Sequence, residues 1–182
     1  DKKAIQASVT FEMEDDLPFE ADQAASDFVT LGTQGTESHV HVAACLKTTI
    51  EDYLGLAVPA GVDPDTITTE SACYRALLRK INLPEVVEER PVVLINIGHE
   101  RTTIYAQFQG TPLICREISW GGREVNITLS NRYALSVDAS EKTKIDNGFV
   151  LPLTQLGTVS EQQRDFSETV YEALQGLIRD IR

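Results

Sequence analysis

The sequence predicts a two-part α/β protein, a small α+β subdomain followed by a three-stranded antiparallel meander with helices. Three observations carry this. Residues 1–81 switch repeatedly between helical and strand spacing in short segments. An apolar, β-branched run at Pro91–Ile97 then opens three strands separated by tight turns. After Gly121-Gly122 the apolar spacing becomes helical and stays so to the end. The expected boundaries are a subdomain over 1–82, a connection over 83–90 and a lobe over 91–182.

In order, Lys2–Asp16 places Ile5, Val9 and Met13 on one helical stripe, and Leu17-Pro18 ends it. Asp27–Leu31 reads as a short strand, Gly32–Ser38 as a turn and His39–Leu46 as an alternating strand. Thr48–Ala60 is helical with Gly61 at its C-terminal cap, and the β-branched Asp63–Thr69 reads as another strand. Glu70–Ile81 is a helix expected to bury Ala72, Cys73, Ala76, Leu77 and Ile81. The connection, with Pro84 and Glu88-Glu89-Arg90, has no period.

Pro91–Ile97 resembles a strand buried on both faces. Gly98–Arg101 turns, Thr102–Gln109 alternates, Gln109–Pro112 turns again and Leu113–Ser119 is the third strand. Helices follow over Glu124–Tyr133, Asp138–Ile145 and Ser160–Arg182. The last spaces Phe166, Val170, Leu174, Leu177 and Ile181 along one face.

The net charge of −12 is uneven: residues 1–70 hold 14 Asp/Glu against 3 Lys/Arg. Such a surface repels phosphate backbones and anionic lipids, so nucleic acid and a bare membrane are poor partners. A basic protein segment suits it, although a solubilising face alone would account for the charge. No apolar run approaches the ~20 residues of a membrane-spanning helix, and none resembles a signal peptide. Cys45, Cys73 and Cys115 are far apart, with no metal-ligand spacing to each other or to His39, His41 and His99. They read as buried thiols in a reducing compartment, which favours the cytosol.

The informative feature is an order of short motifs. A strand ending Ile95-Asn96-Ile97-Gly98 leads to Thr102-Thr103, and a third strand ends in Gly121-Gly122 at a helix start. Glycine permits close backbone approach, while threonine hydroxyls, turn amides and a helix N-terminus can all meet a phosphate. Each glycine alone is equally a hairpin turn or a helix entry. Trp120 reads as a core anchor rather than an adenine platform. Lys142 and Lys144, on a short helix, are as consistent with solvated charges as with phosphate ligands.

Ile95–Thr103 followed by Ile118–Thr128 resembles the second phosphate loop and following helix of actin-like ATPases. The relatives brought to mind are the pilus-assembly protein PilM, the cytoplasmic domain of the secretion protein GspL and, more distantly, the division protein FtsA. Phe11–Phe19 with Asp27-Phe28 is similar to a stretch of the small subdomain inserted in these assembly proteins. Ser140-Glu141 with Lys144 is similar to their "AExxK" stretch near the nucleoside. The resemblance implies an actin-like, ribonuclease-H-like lobe over 91–182. It also implies a nucleotide-facing set of Asn96, Gly98, Thr102, Thr103, Gly121, Gly122, Glu141 and Lys144.

Asn96 stands where Mg-ATP-binding members usually carry Asp, and an amide is a poor ligand for a hard cation. The family's first phosphate loop would precede this chain and its adenosine motif would follow it. The expectation is therefore a central fragment holding no cofactor itself, with ATP reserved for a longer parent, and with no catalytic or metal residues.

The function implied is a non-catalytic scaffold on the cytoplasmic side of the bacterial inner membrane. It would link a type IV pilus or type II secretion platform protein to the assembly ATPase, without inserting into the membrane. Asn96 and the 98–103 turn lean slightly to the secretion type. The alternatives are a filament-forming protein resembling FtsA, or an actin-fold kinase or ATPase. The first is disfavoured by the mixed charge of the final helix. The second is disfavoured because Glu100 is the one acid on the turn.

Overall fold

The computed structural model describes residues 2–35, 37–81 and 90–182. Contacts divide the chain into two compact units, Asp1–Pro84 with Gly110–Pro112, and Glu85–Gln109 with Leu113–Arg182. The connection expected over 83–90 lies outside the described residues except for Arg90.

In the first unit, helix α1 (Lys2–Glu14) turns Val9 fully inward, with Ile5 and Met13 half-buried, and leaves Phe11 exposed. Strands β1 (Ala24–Gln34) and β2 (Glu37–Leu46) form an antiparallel hairpin. The first strand is twice the expected length, because pairing continues past a bulge at Thr30/Gly32 and the turn shrinks to the residues around Gly35. Gly35 has φ +62°, where a side chain is strained. Helix α2 (Lys47–Ala57) ends in a turn at Gly61, φ +81°, as the sequence suggests.

Two expectations fail here. Asp63–Thr69 forms no strand, since Pro64 removes a donor and Ile67 stays exposed. In α3 (Glu70–Lys80), Ser71 and Leu78 are buried, while Ala72, Cys73, Ala76, Leu77 and Ile81 face outward. Two faces of this helix carry apolar residues, and packing selects the one that periodicity did not favour.

The second unit opens with β3 (Val92–Ile97), β4 (Thr102–Phe108) and β5 (Thr111–Ile118) in the order β3-β4-β5. Central β4 is buried almost throughout. The expected double burial of β3 does not occur. It is an edge strand on which Val93, Ile95 and Ile97 remain exposed.

Helices α4 (Gly122–Tyr133), α5 (Val137–Asn147) and α6 (Glu161–Ile181) follow. Ser160 and Gln163 close a capping box at the start of α6. The core joins Ile118 and Trp120 to Val125 and Leu129 of α4 and to Val170 and Leu177 of α6. Trp120 is the anchor the sequence suggests: it is buried and its Nε1 donates to the Ala173 carbonyl at 3.1 Å. The thiols are not buried as expected, for Cys45 is half-buried while Cys73 and Cys115 are exposed.

Candidate functional site

The turn joining β3 to β4 and the start of α4 are built against each other. Gly98 N–H donates to the Arg101 carbonyl at 2.9 Å, closing a tight turn. The carbonyls of Gly98 and His99 then accept from the amides of Gly122 and Arg123, at 2.9 and 2.8 Å. This brings the backbones so close that a Cβ on Gly121 would lie 2.3 Å from the His99 oxygen. Glycine is required there by space, because its φ of −155° is ordinary extended backbone. At Gly98 a Cβ would lie 2.9 Å from the Arg101 oxygen.

Helix α5 reaches the same place. The Lys144 ammonium donates to the Gly122 carbonyl at 3.1 Å and to the Glu141 carboxylate at 3.0 Å. A Cβ on Gly122 would meet that ammonium at 3.1 Å. Glu141 also accepts from the side-chain amide of Asn126. Together the Asn126 amide, which contributes most, and Lys144 hold the Glu141 carboxyl below its ordinary range. Asn126 is buried, and its Oδ1 is the one buried side-chain polar atom without a hydrogen-bond partner among the described residues.

Of the eight residues singled out from sequence, Gly98, Gly121, Gly122, Glu141 and Lys144 thus form one cluster. Thr102 is wholly buried beside it, and its hydroxyl donates to the Trp120 carbonyl at 2.8 Å. Thr103 is buried on β4, in register with Asn96, which lies on the exposed end of β3. Sequence reasoning missed Asn126. The available signal was its position four residues after Gly122, on the face that meets α5.

Chemically, the α4 amides of Gly122, Arg123 and Glu124 all donate to main-chain carbonyls. An incoming anion would therefore find the Lys144 ammonium and the turn amides rather than a free helix N-terminus.

The chain matches the family model described as "Type IV pilus assembly protein PilM" over residues 1–154. It belongs to the PilM family. Among solved structures, this PilM-family chain is similar to a PilM-PilN type IV pilus biogenesis complex, with TM-score 0.70 and 19% identity over 98% of the chain. It is also similar to MreB 5 of Spiroplasma citri bound to AMPPNP, with TM-score 0.53 and 14% identity over 75% of the chain. The fold is therefore actin-like, as the ordered motifs implied. The chain spans about half of each structure, 48% and 46% respectively. The choice left open between pilus and secretion relatives resolves to the pilus family, against the slight lean drawn from Asn96.

Proposed function

We propose that this PilM-family chain serves as a non-catalytic scaffold on the cytoplasmic side of the inner membrane in type IV pilus assembly. In this reading it holds the cytoplasmic tail of a PilN-type membrane partner and passes its state to the assembly ATPase. The family match over residues 1–154 carries the reading. The acidic 1–70 segment supports a protein partner rather than nucleic acid or lipid. No helix among the described residues is long and apolar enough to cross a membrane, so the membrane link falls to the partner.

The residues present do not assemble a Mg-ATP site of their own. Asn96 supplies an amide where a hard cation wants carboxylate. The Thr102 hydroxyl and Lys144 ammonium are engaged with protein oxygens, and the first α4 amides are already bonded. Nucleotide, in this reading, belongs to the longer parent, with Gly98, Glu141 and Lys144 on one wall of its cleft.

The test is calorimetric titration of the chain with a synthetic peptide of the PilN-type partner's cytoplasmic tail. Saturable binding that a scrambled peptide abolishes is expected. Equal binding of the scrambled peptide, or none by either, overturns the proposal.

A further inference from the structure

The segment between α5 and α6 leaves a hollow of about 380 Å³ against α6, lined by Val150, Leu151, Pro152, Leu156, Ser167, Glu168 and Tyr171. It lies within the second unit, and none of its lining residues belongs to the Gly98–Lys144 cluster.

The hollow is held open by specific contacts rather than by a slack loop. The Leu151 amide donates to the hydroxyl of buried Ser167 at 2.8 Å. Phe149 packs on Phe166 with ring centroids 5.5 Å apart, pinning the start of the segment. A short 3-10 helix over Leu153–Thr158 then carries Leu156 back to the wall. An apolar cavity of about 150 Å³ suffices for a benzene ring, so this one accepts a whole bulky side chain and part of its neighbour.

The lining is apolar except for Ser167, the Tyr171 hydroxyl and one charge, Glu168. Ser167 is already bonded to the segment. Glu168 is exposed and makes no ion pair among the described residues, and the lining holds no lysine or arginine. Arg164, one turn earlier on α6, is exposed and makes no ion pair with it. Glu172, one turn later, adds a second unpaired acid.

We infer that this hollow is a docking site for a peptide segment of a partner protein, one that seats a bulky apolar side chain between Leu156 and Tyr171 and sets an adjacent lysine or arginine against Glu168. An apolar anchor with a charged neighbour is the arrangement by which small hollows gain both affinity and orientation. This site is independent of the PilN-type tail proposed above, and either can fail alone.

The test is an NMR titration of the ¹⁵N-labelled chain with three capped octapeptides: GSFLKRSG, the acidic GSFLEESG and the anchorless GSGSKRSG. Saturable shifts at the amides of Val150, Leu156 and Tyr171 are expected with the first. The second should bind about fivefold more weakly, as one partly exposed charge contact allows. The third should not saturate. Glu168→Lys should invert the preference between the basic and acidic peptides, and Leu156→Ser, a substitution at a partly exposed position, should weaken both. An absence of saturable shifts at these amides overturns the inference. So does an unchanged preference in Glu168→Lys, or concentration-dependent shifts of the same amides without peptide, which would mark a contact between copies.

Discussion

The buried amide of Asn126 on α4 donates to the carboxylate of Glu141 on α5, and Lys144 binds that carboxylate from the other side. Asn126→Asp places a second carboxylate against the first where water is scarce. We expect a loss of about 2 kcal/mol, the scale for a hydrogen bond to a charged group. Asn126→Asp with Glu141→Gln removes the like-charge contact and should regain most of it. Urea unfolding of the single and double variants decides this. Additive losses would show that the two side chains do not interact.

The glycines at positions 121 and 176 should respond oppositely to alanine. At Gly121 a methyl group meets the backbone of His99 and Glu100, which can yield only by moving the turn off α4. Gly121→Ala should cost about 1–3 kcal/mol, as overpacking does. At Gly176 a Cβ meets the Trp120 ring at 3.3 Å, a side chain able to give slightly. The helix gains about 1 kcal/mol from exchanging glycine for alanine in its interior. Gly176→Ala should therefore stay within about 1 kcal/mol of wild type. Paired thermal melts test the contrast, and equal destabilisation by both would refute the packing explanation.

Trp120→Phe tests the anchor. The Nε1 bond to Ala173 is lost, but the carbonyl sits inside α6 and keeps its helical position, so no acceptor is stranded. The expected cost is about 2 kcal/mol, from one hydrogen bond and the smaller buried ring. Trp120 is the chain's one tryptophan, so the variant must be followed by circular dichroism. An unchanged midpoint would mean the ring is not gripped by α6.

The sequence showed element types well where periodicity and punctuation agreed. The meander, its turns at Gly98 and Gly110, and the capped start of α6 all follow from local chemistry. Burial was less legible, because it depends on what lies across from a segment. The β3 run is apolar enough for a central strand but occupies an edge. Helix α3 has two apolar faces, and only tertiary contact chooses between them. The β-branched 63–69 stretch has strand propensity without a partner. Within the candidate site, glycines and the Glu141/Lys144 pair were visible as motifs, whereas Asn126 was not. A polar residue on a helix reads as solvated until a second helix covers it.

The last prediction concerns pH. Asp165 on α6 accepts from the Arg132 guanidinium and from the Tyr133 hydroxyl, the latter at 2.7 Å, linking α6 to the end of α4. Arg132 contributes most to holding the Asp165 carboxyl below its ordinary 3.8, with Tyr133 adding to it. A carboxylate whose folded pKa is depressed stabilises fully above its unfolded value, and the effect is lost as pH falls through the folded one. Glu141, lowered from 4.5 by Asn126 and then Lys144, acts in the same sense. Tyr133 works at the other end: burial first, then the bond to Asp165, raises its pKa above 10.0. Its contribution is full below that value and disappears as pH climbs through the folded pKa. Stability should thus decline below about pH 4 and again above about pH 10. Asp165→Asn combined with Glu141→Gln should lower the neutral plateau and flatten the acid decline, since neither amide titrates. Unfolding free energies between pH 2.5 and 7 would decide it. An acid slope as steep in the double variant as in wild type would place the titrating groups elsewhere.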